Sequence, residues 1–169
     1  LTARQQGKVR FLGASVYGEE AALAVIEAGC FDVLQVAYSV LDQRMARRVF
    51  PAAEQAGMGI LVRSALLKGV LTAKAPWLPT ELAELRRAAE RARDILAVSW
   101  QSLPEAALRF CLSAPQVSTV LAGTRTLEEL RQALAAAWTG PLSEEVLVRT
   151  PALALEEECW LNPSCWPVV

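Results

Sequence analysis

The sequence predicts an α/β fold, a parallel sheet covered by helices, and two observations carry that prediction. Four short, nearly continuous apolar runs alternate with segments whose apolar residues recur at helical spacing. Runs without a polar alternate face suit parallel strands buried on both sides. The composition also fits: 169 residues, 53% hydrophobic and 21% charged, read as one globular domain over residues 1–169 with a sizeable core.

The first unit is a strand at 8–13, ended by Gly13, and a helix at 19–28 with apolar residues on one face. The second strand is expected at 31–37. After a loop at 38–43 comes its helix, 45–56, with Pro51 bending it and Gly57 closing it. A third strand at 59–62 leads into a long connection through Trp77. Thr80 then N-caps a helix at 81–93 that turns Leu82, Leu85 and Ala89 inward. A further helix starts near Ser102, where Ser102 and Glu105 form a capping-box pattern, and runs through Phe110 and Leu112. The fourth strand is expected at 118–122. Its helix carries a second capping box, Thr126 with Glu129, and inward positions Leu127, Leu130, Leu134 and Ala137. An eight-fold barrel needs roughly 250 residues, so four units supply about half of one; a compact open four-stranded sheet is the alternative. The tail from Pro141 is too irregular for another unit and reads as a terminal loop at the mouth of the strands or a cap against a helix.

Charge and composition exclude several function classes. With 17 Lys+Arg against 18 Asp+Glu, no field draws in nucleic acid or an anionic membrane. No run of 18 apolar residues and no signal pattern is present, so the expectation is a cytoplasmic protein. Cys30, Cys111, Cys159 and Cys165 fall at no metal-ligand spacing and read as reduced thiols. The chain has no histidine, which removes the commonest general base and zinc ligand; no metal site is expected.

Four segments are more specific. They are Gly-Lys-Val-Arg-Phe-Leu-Gly-Ala-Ser at 7–15, Phe-Asp-Val-Leu-Gln-Val-Ala-Tyr-Ser-Val-Leu-Asp at 31–42, Arg-Ser-Ala-Leu-Leu-Lys-Gly-Val-Leu-Thr at 63–72 and Val-Leu-Ala-Gly-Thr-Arg at 120–125. In order and spacing they resemble the last four strand ends of the aldo-keto reductases, over residues 7–147. The resemblance implies the C-terminal half of a (β/α)8 TIM barrel that binds NADP(H) in extended form at the C-terminal strand ends.

Position by position, Ser15 matches a serine that hydrogen-bonds the nicotinamide carboxamide, although Val16 replaces the asparagine that follows it in the family. Gln35 matches a glutamine on the other side of that carboxamide; the alternative is a core amide bonded to a neighbouring loop. Arg63 stands where an aromatic residue or arginine lies flat against the nicotinamide ring. Ser64, Leu66, Lys68 and Gly69 match the loop over the pyrophosphate through hydroxyl, backbone N–H, charge and close approach; Lys68 reads equally as a solvated lysine. Gly123, Thr124 and Arg125 match the turn that receives the adenosine 2'-phosphate, which favours NADP(H). One turn on, Glu129, Gln132 and Ala133 depart from the family's residues beside the phosphate and adenine.

The family's catalytic aspartate, tyrosine, lysine and histidine belong to the first half of the barrel, which these residues do not match. Neither Tyr17 nor Tyr38 matches the catalytic tyrosine, so no catalytic residue is assigned. The leading reading is an oxidoreductase fragment holding the cofactor half of an aldehyde- or ketone-reducing enzyme, completed by a missing N-terminal half or by a second copy of itself. The alternatives are a non-catalytic half-barrel that binds a nucleotide or partner protein, and a structural module without a ligand.

Overall fold

The computed structural model describes residues 1–167. A short helix α1 (Thr2–Gln5) precedes four strand–helix units: β1 (Gly13–Ser15) with α2 (Glu19–Glu27), β2 (Val33–Ala37) with α3 (Val49–Gln55), β3 (Gly59–Arg63) with α4 (Ala83–Leu96) and α5 (Leu103–Leu112), and β4 (Val117–Val120) with α6 (Leu127–Thr139). The strands form one sheet in the order β1-β2-β3-β4, every neighbouring pair parallel. Sequential order with helical connections is what right-handed crossovers produce.

The register sets Ser15 opposite Gln35 and Gln35 opposite Leu61, so these residues and Arg63, two along from Leu61, share one face. The other face carries Leu34, Val36, Ile60 and Val62, fully buried under α2 and α3. Between β3 and β4 the register slips at Ile60/Leu61, leaving Ser118 without a strand partner. Its hydroxyl fills the gap by accepting the Ile60 N–H at 3.2 Å.

Several expected boundaries move, each for a local reason. The first strand is not 8–13 but begins at Gly13, and Val9 and Phe11 lie exposed before it. Asp32 turns the chain there, its carboxylate accepting the Leu12 N–H at 2.8 Å and pairing with Arg4. Pro51 does not bend its helix: it is the third residue of α3, in the first turn, where its missing N–H has no partner to lose. Thr80 does not cap its helix either. Residues Thr80–Leu82 form a 3₁₀ turn ahead of α4, which ends on Ala97 in a left-handed conformation. The Ser102–Glu105 capping box is absent, because Ser102 is itself helical and the Ser99 hydroxyl accepts its N–H at 3.3 Å.

The largest revision concerns α6. Its expected inward face, Leu127, Leu130, Leu134 and Ala137, is exposed, and the helix packs on α5 through Ala133 and Ala136 instead. Half of its expected capping box forms: the Thr126 hydroxyl accepts the Glu129 N–H at 3.1 Å, while the Glu129 carboxylate accepts the Arg125 N–H instead of that of Thr126. Thr126→Ala is expected to destabilise the fold by about 1 kcal/mol, the usual worth of such a cap, read as a lower midpoint in urea at unchanged slope.

Of the two expectations for the tail, the cap against a helix is the one that forms. After α7 (Glu144–Leu147), a 3₁₀ turn at Thr150–Leu153 packs on α4 and buries Leu153. It is tied to the β2–α3 loop, where the Gln43 amide donates to the carbonyls of Val40 and Thr150 at 2.8 Å each and Leu155 N–H donates to Leu41 O at 2.9 Å. A last helix, α8 (Glu158–Leu161), buries Leu161, and Trp166 beyond it comes within 5.9 Å of the Lys68 ammonium.

Candidate functional site

At the C-terminal ends of β1, β2 and β3, Ser15, Gln35 and Arg63 meet on the uncovered face of the sheet. The Gln35 amide nitrogen donates to the Ser15 hydroxyl at 2.8 Å, so a glutamine in an otherwise apolar strand has a partner. Arg63 is held from several sides. It donates to the Val16 carbonyl at 3.1 Å and to the Ser64 hydroxyl at 3.3 Å, and its guanidinium lies 3.8 Å from the centre of the Tyr17 ring. One face of the guanidinium plane thus stacks on an aromatic ring.

The loop after β3 is built under backbone strain. Ser64, Leu67, Lys68 and Gly69 all have positive φ, at 62°, 42°, 51° and 95°. Three of the four are not glycine, and such a concentration is characteristic of segments whose shape serves a site. The turn is closed by Leu67 N–H to Ser64 O at 2.8 Å and Gly69 N–H to Leu66 O at 2.9 Å. Among the described residues, no protein acceptor stands on the N–H groups of Leu66 and Lys68. The Thr72 hydroxyl donates to Gly69 O at 2.7 Å and accepts the Lys74 N–H at 3.1 Å, which fixes Lys74 beside the loop.

Across from this loop, Gly123, Thr124 and Arg125 make the turn between β4 and α6. Loop and turn line one cleft of about 850 Å³, together with Gln101 just ahead of α5, Pro104 and Leu108 of α5, and Glu128, Glu129, Gln132 and Ala133 of α6. Lys68, Lys74 and Arg125 bring positive charge to it, Glu128 and Glu129 negative. The Glu129 carboxylate accepts the Arg125 N–H at 2.6 Å. That bond first, then the Arg125 charge, holds its carboxyl below the usual carboxylate range. The Gln132 amide donates to the Gln101 carbonyl, fastening α6 to the start of α5.

The expected residues therefore fall into two adjoining groups. Ser64, Leu66, Lys68, Gly69, Gly123, Thr124 and Arg125 line the cleft, while Ser15, Gln35 and Arg63 lie on the open sheet face outside it. Ser64 joins them, lining the cleft and bonding to Arg63. Lys74, Gln101, Pro104 and Leu108 also line the cleft and were not expected from sequence. Lys74 had a legible signal, a lysine two residues after the threonine that closes the turn, but the others belong to no motif.

Neither tyrosine is placed as a general acid. Tyr38 is a core residue between Phe50 and Phe110, with ring centroids 4.9 and 5.3 Å away, and burial pushes its hydroxyl pKa well above the ordinary value. Tyr17 packs on Arg63. Among the described residues no cluster of His, Cys, Asp and Glu could hold a metal, and no helix is long and apolar enough to cross a membrane.

Comparison with known proteins agrees with this architecture. The chain is 24% identical over 147 residues to the NADH-specific methylglyoxal reductase of Escherichia coli strain K12, covering 79% of this chain and 45% of that protein. It superposes on the holo form of aldo-keto reductase AKR11C1 from Bacillus halodurans with a TM-score of 0.76 at 24% identity, over 91% of this chain and 53% of that one. On the glycerol dehydrogenase AKR11B4 from Gluconobacter oxydans the TM-score is 0.70 at 18% identity, over 90% and 51% of the two chains. The chain thus spans about half the length of the relatives it matches, and its four parallel units are half of their barrel. The family model of the aldo/keto reductases matches residues 2–153, and with the sheet, the cleft and the superpositions this places the chain in the aldo/keto reductase family.

Proposed function

We propose that the chain supplies the dinucleotide-binding half of a carbonyl-reducing oxidoreductase. The cleft between the β3 loop and the β4–α6 turn carries the proposal: its walls offer three cations and two unpartnered backbone N–H groups within about 850 Å³. Anionic pyrophosphate suits the 64–69 wall, where Leu66 and Lys68 present N–H groups and Lys68 and Lys74 add charge. The adenosine end then reaches Gly123, Thr124 and Arg125 at the start of α6, the turn that would also take the 2'-phosphate of NADP(H). At Gly123 an added Cβ would meet no atom within 4 Å, so this wall leaves room for close approach. The nicotinamide end lies toward Ser15, Gln35 and Arg63. Opening the Ser15–Gln35 bond frees an amide and a hydroxyl for a carboxamide, and the ring rests against the face of Arg63 turned away from Tyr17.

A bound nicotinamide supplies hydride to a carbonyl carbon. On this reading the chain's residues hold and orient the nucleotide and a proton donor is supplied from outside them: Tyr38 is in the core, Tyr17 is stacked on Arg63, and there is no histidine. The Escherichia coli relative, a reductase described as NADH-specific, supports the reaction class.

Titration of the purified protein with NADH and with NADPH, followed by quenching of tryptophan emission, tests this reading. Saturable binding is expected for at least one nucleotide. Lys68→Ala combined with Lys74→Ala is expected to weaken it about tenfold by removing two charges beside the pyrophosphate. A flat titration with both nucleotides rejects the proposal.

A further inference from the structure

The turn expected to receive a 2'-phosphate has a carboxylate in it. We infer that Glu129 is a specificity determinant that turns the cleft toward the dinucleotide without a 2'-phosphate, NADH, and against NADPH; the inference rests on the dinucleotide reading of the cleft.

Two backbone donors of this turn are already committed within the protein. A phosphate at the start of α6 needs backbone N–H groups without other acceptors. Here the Arg125 N–H already donates to the Glu129 carboxylate at 2.6 Å, and the Glu129 N–H donates to the Thr126 hydroxyl at 3.1 Å, so an anion is left with the donors nearer Leu127 and Glu128, directly beside the Glu129 charge. The carboxylate therefore stands where an anion's oxygen would sit. A phosphate that uses the Arg125 N–H must displace it, and Glu129, in the first turn of α6, keeps its charge close to the displaced position. Hydrogen bonding to Arg125 N–H and the charges of Arg125 and Lys74 favour the ionised carboxylate, so protonation at neutral pH does not relieve the repulsion. Glu128 lines the same cleft and adds a second negative charge.

A ribose 2'-hydroxyl meets the same geometry differently, because it can donate to a carboxylate that a phosphate can only repel. An acidic residue that accepts from the ribose hydroxyl is a general means of selecting NAD over NADP in dinucleotide sites. Arg125 does not offset the effect: its backbone is committed to Glu129, and its exposed guanidinium is a flexible, screened charge. The three residues expected to favour NADP(H) are thus present, and one carboxylate four positions along from Arg125 reverses their use.

The test compares affinities of NADH and NADPH for the wild-type protein and for Glu129→Gln, whose amide oxygen can still accept the Arg125 N–H. Wild-type protein is expected to bind NADH more tightly. Glu129→Gln is expected to bind NADPH about tenfold more tightly than wild type, with NADH changed less than about threefold, as removal of one nearby like charge requires. In the wild type, raising salt from 50 to 500 mM is expected to narrow the NADH-to-NADPH ratio because the repulsion is screened, an arm independent of any variant. NADPH binding as tightly as NADH to the wild type, or a ratio unmoved by both the substitution and salt, overturns the inference while leaving the dinucleotide site standing. Binding of neither nucleotide overturns the dinucleotide reading and this inference together.

Discussion

At low micromolar concentration the purified 169-residue chain is expected to sediment as dimers or larger assemblies. Two surfaces drive this. The sheet ends on β1 at one side and β4 at the other, and edge strands present ladder groups to a further strand. Following β4 in the chain, α6 displays Leu127, Leu130, Leu134 and Trp138 at 60, 43, 51 and 87% exposure, while Ala133 and Ala136 face α5. Covering such side chains contributes up to roughly 1.5–3 kcal/mol each, so burying even part of the stripe outweighs the ordering of a few surface residues. Charging it with Leu130→Glu and Leu134→Glu is expected to shift the distribution to monomer without lowering the melting temperature, since neither side chain belongs to the core. A wild-type chain that remains monomeric through the low-micromolar range, with a cooperative melt, refutes the prediction. In the presence of the other half of a barrel the same surfaces have a natural cover, and association is expected to be with that half instead.

The second large effect is expected from Arg44→Ala. The Asp42 carboxylate is only 3% exposed and is held bidentately by Arg44 at 2.8 and 3.0 Å. Removing one partner of a buried pair leaves an uncompensated charge, which typically costs 3–5 kcal/mol. Because the guanidinium is itself 29% exposed, water reaches one side of the pair, and about 2–4 kcal/mol is expected here. For a chain of this length that lowers the melting temperature by roughly 4–16 °C. The paired change Asp42→Asn with Arg44→Ala is expected to recover much of the loss, because no charge is then stranded. Equal destabilisation by the single and double variants would show that packing, not charge, dominates.

How far the sequence revealed these features depended on what each residue needed from its neighbours. β2 and β3 were legible because they are central strands: Leu34, Val36, Ile60 and Val62 are apolar where a covering helix demands it. The first strand was misplaced for the opposite reason. Val9 and Phe11 have strand-like chemistry, but they lie at the margin of the sheet and remain exposed. The apolar stripe of α6 is legible as a stripe but its burial is not, since periodicity shows which residues share a face and not which neighbour covers it. In the cleft, the 64–69 loop and the 123–125 turn carried recognisable residue types at recognisable spacing. Gln101, Pro104 and Leu108 did not, because only the packing of α5 against α6 brings them there. The bond from Glu129 to Arg125 N–H lay between the two cases: the sequence placed Glu129 in a capping box with Thr126, and the structure shows its carboxylate reaching one residue further back.

The stitching of the tail to the β2–α3 loop has a kinetic consequence. Each strand pairs with the strand next to it in the chain, so the sheet can grow by adding one strand–helix unit at a time, and β1, β2 and β3 close only short loops as they join. The bond from Gln43 to Thr150 spans 107 residues and has no such local route. Its large separation is expected to make tail docking the closing event of folding and an early event of opening. Leu153 and Leu161, which that docking buries, should therefore report the start of unfolding before the strands separate.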